Sequence, residues 1–128
     1  MRGAVANHNP RVARITLDGA VLAAGAATRV TAGRAGALRV EFEADAREGY
    51  DEPQPDGSAR ATRETLLTQY LTDAGAIEGA FRSDDEGTAG PHDNRYTAPA
   101  SGGARLWVVL SDGRGGFDVA ERALAVGP

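Results

Sequence analysis

The feature that most constrains this chain is a strict two-residue alternation after Gly36. Residues 38–43 read Leu-Arg-Val-Glu-Phe-Glu, so apolar and charged side chains alternate without exception. Successive side chains of a β-strand point to opposite faces, and this segment therefore predicts a strand with one apolar and one charged face. The apolar face must meet a core, and the charged face meets water.

Short β-prone segments bounded by turn residues recur along the chain. The segment 105–110, Arg-Leu-Trp-Val-Val-Leu, is apolar on both faces, which is typical of a central strand covered on both sides. Asp112-Gly113-Arg114-Gly115-Gly116 supplies the positive-φ positions of a hairpin before the last strand. About seven short strands result, which predicts an all-β, antiparallel sandwich. The other candidate strands are 12–17, a brief edge strand at Val21 and Leu22, 28–31, 77–81 and 95–97.

Three segments do not fit this pattern cleanly. Residues 44–61 show no periodicity and carry Gly and Pro among charges, which predicts a long surface loop. Residues 82–94 predict a polar loop with an acidic run at 84–86. In 62–74 the leucines and Tyr70 fit helical spacing, and the same residues also alternate as in a strand. The local pattern of 62–74 alone favours a helix slightly.

Length and composition set broad limits. The 128 residues suit one domain, with 1–9 as a flexible lead-in and 10–128 as the folded unit. The absence of cysteine excludes a disulfide framework and a thiolate metal site. All fourteen basic residues are arginine, the formal net charge is −4 and no basic cluster is present, so nucleic acid is not an expected partner.

No membrane anchor is expected from the sequence. No apolar run approaches the roughly 18 residues of a transmembrane helix. The first ten residues have too short an apolar core for a signal peptide, and Met1 is interpreted as the start of a piece cut from a longer protein.

The sequence offers little for catalysis. Its two histidines, His8 and His92, fall in the lead-in and in the polar loop. His92 and Asp93 near Ser101 form the one candidate set for a nucleophilic triad, and no strained nucleophile elbow is present. We therefore expect a solvated loop at His92 and no enzyme activity.

Metal and cofactor sites are not predicted either. Two distant histidines do not make a zinc site. Calcium would need six to eight convergent oxygens, and no D-x-D-x-D-G spacing is present. Solvated acidic loops are the favoured interpretation, and no cofactor is expected. The two carboxylate sets that calcium could use are Asp84, Asp85 and Glu86 with Asp93, and Asp51, Glu52 and Asp56.

Candidate contacts with a partner lie in predicted loops. Tyr50 is an aromatic residue of the long loop, and aromatics are enriched at interface hot spots. The acidic run Asp84, Asp85 and Glu86 and the hairpin residue Arg114 complete the set of candidates. Trp107 is expected in the core. If it faced outward beside Tyr96, its ring would instead be suited to stacking on a sugar.

The last third of the chain resembles the closing strands of bacterial Ig-like modules, a group that includes PKD-like and cadherin-like domains. The matching residues are Tyr96-Thr97-Ala98-Pro99, a Ser-Gly-Gly turn, Leu106-Trp107-Val108-Val109 and Asp112-Gly113-Arg114-Gly115-Gly116-Phe117. In that group a Thr-Ala-Pro step precedes the penultimate strand, and the glycine-rich hairpin leads to the last one.

The resemblance extends through residues 10–126, with 44–61 matched loosely. Glu64, Leu66, Tyr70, Thr72 and Gly75 are similar to the E-x-L…W-x-T-x-G pattern of strand C, with Tyr70 where the group often has Trp. It implies that 62–74 is a strand. It also implies an extracytoplasmic place, outer-membrane-associated, periplasmic or secreted, where such modules act as spacers or binding units.

We therefore expect a non-catalytic structural or interaction module of a bacterial envelope or secreted protein. Its partner would be a protein or a neighbouring domain, met by loops at one end or by an open edge strand. A carbohydrate-binding module, with exposed aromatics in a row, is the alternative. The expected core comprises Ile15, Val30, Leu38, Val40, Phe42, Leu66, Tyr70, Leu106, Val108 and Leu124.

Overall fold

The computed structural model describes residues 9–44, 46–47, 49–84 and 90–127, with side chains at all of these except 49–51 and 63. This part of the chain contains no α-helix, and the all-β prediction is confirmed. It forms twelve strands rather than about seven. They are β1 Val12–Leu17, β2 Ala20–Val21, β3 Thr28–Thr31, β4 Ala35–Phe42, β5 Gly49–Pro53, β6 Ala59–Arg63, β7 Leu67–Thr72, β8 Ala76–Ile77, β9 Phe81–Ser83, β10 His92–Thr97, β11 Gly103–Ser111 and β12 Phe117–Gly127.

Two five-stranded sheets face each other across one core. The first sheet has the order β2-β1-β4-β10-β8, and the second has the order β3-β12-β11-β7-β9. Neighbouring strands are antiparallel except for β12 and the short edge strand β3, which run parallel. Strands β5 and β6 form a separate two-stranded ribbon.

Strand β4 confirms the alternation seen in the sequence. Leu38 and Val40 are buried in the core, and the charged residues Arg39 and Glu41 face outward. On that outer face Arg39 Nε lies 2.7 Å from an Asp93 oxygen on β10, and Arg14 Nε on β1 lies 2.7 Å from a Glu41 oxygen. The outer face of the first sheet is therefore covered by paired charges.

The expected core residues lie between the sheets. Eight of the ten are buried, while Val30 and Phe42 are partly buried and pack against the others. Each large buried side chain contributes about 1.5–3 kcal/mol. The core also takes in residues that the sequence analysis did not place there, chiefly Leu22, Tyr96, Ala98, Ala104 and Leu110.

The ambiguous segment 62–74 contains strand β7, as the family resemblance implies and against the local helical pattern. Leu66 and Tyr70 are buried, whereas Leu67 and Leu71 are exposed. This two-residue alternation fits strand β7, which is hydrogen-bonded to β11 on one side and β9 on the other.

The prediction of a long loop at 44–61 was wrong, because β5 and β6 pair there as a hairpin. The turn closes through a bond from Gln54 N to Ser58 O, and the Asp56 carboxylate accepts the Ser58 N–H. Gly57 takes a positive φ of 89°. The described side chains of the ribbon are exposed or half-buried, so they form no buried apolar face that would leave an alternating pattern in the sequence.

The region 77–94 also differs from expectation. Instead of one strand over 77–81, β8 joins the first sheet and β9 joins the second, and residues 78–80 cross between them. The polar loop is shorter than predicted because β10 begins at His92.

The predicted glycine-rich hairpin joins β11 and β12. The buried Asp112 carboxylate accepts backbone N–H groups from Arg114 at 2.8 Å and Gly116 at 2.9 Å, and Asp112 N donates to Gly116 O. Gly113 and Gly115 take positive φ values of 75° and 91°. The aspartate therefore organises the turn from beneath while the glycines supply its curvature.

Gly75, between β7 and β8, is the most constrained glycine. Its φ is 81°, and a Cβ at this position would meet Thr97 O and lie 2.6 Å from the Tyr96 hydroxyl oxygen. That hydroxyl donates to Ala74 O at 2.8 Å. A side chain at position 75 would thus displace the segment that crosses between the sheets away from Tyr96.

We expect Gly75→Ala to lower the free energy of unfolding by well over 2 kcal/mol, because backbone strain and overpacking act together. Gly33→Ala is the matched control: Gly33 also has a positive φ of 68°, but a Cβ there has nothing within 4 Å. It should cost about 1–2 kcal/mol. Equal losses in urea denaturation of the two variants would contradict the packing argument.

Candidate functional site

The outer face of the second sheet exposes large apolar side chains. Five of them are between 39% and 58% exposed, and Trp107 and Val109 lie half-buried among them. We call this set the apolar face. It comprises Leu67, Leu71, Phe81, Trp107, Val109, Phe117 and Val119.

Strand register makes these residues contiguous. Phe81 on β9 is level with Gln69 on β7, and Val109 on β11 is level with Val119 on β12. Because Gln69 also pairs with Val109, these residues form one row across four strands. The rows on either side contain Leu71 with Trp107, and Leu67 with Ser111 and Phe117.

The prediction that 105–110 is covered on both sides was wrong for its outer side. Strand β11 is central in its sheet, with Leu106, Val108 and Leu110 buried, but no other described strand packs over Trp107 and Val109. From the exposed fractions, the apolar face presents on the order of 500 Å², in the upper range of the largest patch on a typical monomer. Patches of this size are often functional.

Charges lie only at one end of this surface. Among the described residues that face outward on β7, β9, β11 and β12, the charged ones are Arg105, Glu121 and Asp73 at the end of β7. Arg105 and Glu121 form an ion pair, and Arg105 N donates to Asp73 Oδ1 at 2.8 Å. The rest of the face is apolar or uncharged, in contrast to the charge-covered outer face of the first sheet.

A second candidate is a buried polar network at the other end of the sandwich. His92 Nε2 lies 2.8 Å from Asp84 Oδ1, and His92 Nδ1 lies 3.0 Å from Thr68 Oγ1. Arg47 donates to both Asp84 oxygens, at 2.8 and 2.6 Å, and to Gly90 O. Leu66 N also donates to Asp84. The network joins β10 of the first sheet to β7 of the second.

Asp84 is held in its charged form. Burial by itself would raise its pKa, but hydrogen bonds from Arg47, Leu66 N–H and His92, together with the Arg47 charge, outweigh burial and lower the pKa to about 2. Phe42 packs edge-on against the His92 ring, and the Arg47 guanidinium lies 5.3 Å from the Phe42 ring centre. The charges are thereby enclosed on one side by an aromatic ring.

The order Asp84, His92, Thr68 resembles a catalytic relay, but its hydroxyl is inaccessible. Thr68 is 0% exposed, and its Oγ1 also lies within hydrogen-bond distance of the Tyr70 hydroxyl. A nucleophile must meet its substrate. The arrangement therefore acts as a polar tie between the sheets.

The expectation of a solvated loop at His92 was wrong. This residue is only 5% exposed, because β10 begins with it and turns the ring inward. Ser101 is not part of its surroundings: it follows the far end of β10, about 17 Å along the strand. The candidate triad set of His92, Asp93 and Ser101 is not assembled.

Of the sequence-predicted contact residues, the structure describes the side chains of Asp84 and Arg114, and these two lie in different surroundings. Asp84 is in the buried network, and Arg114 lies on the β11–β12 turn with Nη1 3.2 Å from a Glu64 oxygen. Tyr50 lies on β5, where its side chain is outside the described part, as are Asp85 and Glu86 altogether. Trp107 does not stand beside Tyr96, which is buried on the inner face of the first sheet.

The carboxylates suggested as calcium ligands are also dispersed, as far as the described residues include them. Asp84 is bound by Arg47, and Asp93 is paired with Arg39. Within the described ranges, no three His, Cys, Asp or Glu side chains group as metal ligands would. The same ranges contain no helix of the length and apolar character needed to cross a membrane.

The apolar face was not predicted, although the sequence contains a signal for it. Trp107 and Val109 stand at alternate positions, and so do Phe117 and Val119, as residues of an apolar outer face would. Their strands also carry apolar residues at the inward positions, so the alternation was hidden by a double set of apolar side chains.

We expect Asp84→Asn to lower the free energy of unfolding at pH 7 by about 3 kcal/mol, because Arg47 would remain largely buried without its partner charge. Asp93→Asn is the matched control, since Asp93 holds Arg39 in the same two-bonded geometry on the surface. It should stay close to the unaltered chain in urea denaturation. A similar loss in both variants would refute the role of burial.

Because of the lowered pKa of Asp84, we expect part of the free energy of unfolding to be lost in acid. The folded chain holds the Asp84 proton more weakly than the unfolded chain, so the stabilisation is present above about pH 4 and is lost as the pH falls towards 2. Asp84→Asn should flatten the dependence of unfolding free energy on pH over this window. An unchanged slope would show that other groups cause the acid sensitivity.

Comparison with known proteins does not assign the chain to a family: it matches no family model, no curated protein and no solved structure. The arrangement of the described residues is therefore the basis on which a function is inferred.

Proposed function

We propose that this chain is a non-catalytic interaction module of a larger bacterial envelope or secreted protein, and that it binds the apolar surface of a protein through its apolar face. The observation that carries the proposal is the asymmetry of the two outer faces. The first sheet covers its outer face with ion pairs such as Arg39–Asp93, and the second leaves its own face apolar.

The sheet holds the side chains of the apolar face in fixed positions. They project from four adjacent hydrogen-bonded strands, so their positions are already ordered before binding and little conformational entropy is lost. Trp107 lies half-buried among them, as an anchor at the centre of an interface does. The surface is one face of a sheet and is apolar, which suits another packed protein surface.

The placement of the motifs supports an Ig-like module, either PKD-like or cadherin-like. Thr97-Ala98-Pro99 lies at the end of β10, and the Asp112–Gly116 hairpin joins the last two strands, as in the group that the sequence resembles. An extracytoplasmic location and a role as spacer or protein-binding unit are part of the same proposal, and rest on that resemblance alone.

Carbohydrate binding is the second candidate, because Phe81, Trp107 and Phe117 all lie on the apolar face. From strand spacing, these rings stand roughly 12–16 Å apart. Aliphatic Val109, Val119 and Leu67 fill the space between them, so the rings do not form a continuous stacking platform. A protein partner therefore fits the face better than a sugar chain.

Photo-cross-linking in the parent protein tests the proposal. With a photoreactive phenylalanine at position 119 or 71, we expect one discrete adduct with a protein segment that mass spectrometry identifies. Position 21 is the control, since Val21 is an equally exposed valine, 56% against 52%, on an edge strand of the first sheet. Equal adducts at all three positions would contradict a specific face.

Retention on insoluble polysaccharide separates the two candidates. The unaltered chain should pass through such a column without delay. Retention that Phe81→Ala and Phe117→Ala abolish would favour carbohydrate binding and overturn the protein-binding proposal.

A further inference from the structure

We infer that the apolar face is covered by a second copy of this chain, in a face-to-face dimer with two-fold symmetry; this inference rests on the proposed function of that face. A two-fold interface places the same patch on both partners, so the patch must be complementary to itself. The strand order and register allow this to be tested residue by residue.

The apolar face matches itself about one particular axis. Its four strands run β9-β7-β11-β12, so the middle of the face lies between β7 and β11. A two-fold axis along the strands at this point superposes β7 on β11 and β9 on β12. Phe81 of one copy then faces Val119 of the other, and Leu71 faces Trp107, because these residues share rows. These two pairs bring apolar side chains together, while Val109 faces Gln69 and Leu67 faces Ser111.

The same axis brings opposite charges together. Hydrogen bonding between Asp73 N and Arg105 O places Asp73 level with Arg105, one on each of the two exchanged strands. Arg105 of one copy therefore lies over Asp73 of the other, and both residues are exposed in the single chain. The arrangement opposes two acid–base pairs at one end of the interface, which fixes the orientation of the copies.

Size also favours a second copy. Two apolar faces of about 500 Å² each bury on the order of 1,000 Å² together, which reaches the lower bound for a specific interface. Aligned sheets pack in this way in β-sandwiches, at about 10 Å separation. The net charge of −4 on each copy opposes close contact between charged parts of the surface, whereas the seven side chains of the apolar face carry no charge.

Sedimentation equilibrium of the purified chain tests the inference. We expect a reversible monomer–dimer equilibrium, with Val119→Asp raising the dissociation constant at least tenfold because an unpaired charge would be buried against Phe81 of the other copy. Val21→Asp is the matched control and should leave the dissociation constant unchanged. Circular dichroism should show the same folded spectrum for all three proteins.

Cross-linking tests the axis itself. The chain has no cysteine, so Phe81→Cys and Val119→Cys each introduce one reactive thiol. A short bismaleimide should link the two variants when they are mixed and link neither variant to itself, because position 81 faces position 119. Since facing sheets lie about 10 Å apart, a direct disulfide would not reach.

Three results would overturn the inference: a monomer at every concentration, a dimer that responds equally to Val119→Asp and Val21→Asp, or self-linking of either cysteine variant in place of the mixed link. The proposed function fails separately. The purified chain could be monomeric while position 119 still cross-links to a different protein or domain in the parent. In that case the apolar face binds a partner, and that partner is not a second copy of this chain. If neither occurs, both proposals fail.

Discussion

The fold depends on the two-residue period of the strands, which gives each sheet one inner and one outer face. The inner faces meet through residues such as Leu38 and Val40 on one side and Leu106 and Val108 on the other. Once these pairs are packed, the direction of every other side chain on the strands is set, since a shift by one residue would exchange the faces. The outer faces are thus fixed by the core and are free to differ in chemistry, which they do.

That difference in chemistry separates the part of the surface suited to water from the part suited to a partner. Ion pairs on the first sheet contribute little to stability, because exposed pairs are screened, but they keep that face solvated. The second sheet replaces them with leucine, valine and aromatic side chains. Its apolar exposure would be a liability for a lone module and becomes useful when another protein surface covers it.

The buried network of Asp84, His92, Arg47 and Thr68 has the opposite role. It ties the sheets to each other at one end, where the core thins to a small cluster around Ala46, Leu66 and Leu110. Buried charges of this kind are tolerable only when every member has a partner, and here the pairs and backbone donors supply them. The network therefore resembles an active site in its residue types, but its role is to hold the two sheets together.

Much of the fold was accessible to sequence reasoning, and the reasons are local. Strand β4 and the Asp112–Gly116 hairpin carry short-range signals, an alternation and a set of positive-φ glycines, that depend on no distant contact. The ribbon at 49–63 was missed because its described side chains form no buried face. His92 was misplaced because its partner Asp84 lies eight residues away and Thr68 lies on another sheet. The apolar face was the least predictable feature, since its exposure depends on which neighbouring elements leave a strand uncovered.

The directions of the first and last strands have a mechanical consequence. Val12, at the start of β1, bonds to Asp118 near the start of β12, while the end of β12 lies beside Thr31 at the opposite end of the sandwich. A pull between the two ends would thus run along the strands, sliding β1 against β4 and β12 against β11 and β3. Their hydrogen bonds would be loaded together rather than opened one by one, a geometry suited to a link that bears tension.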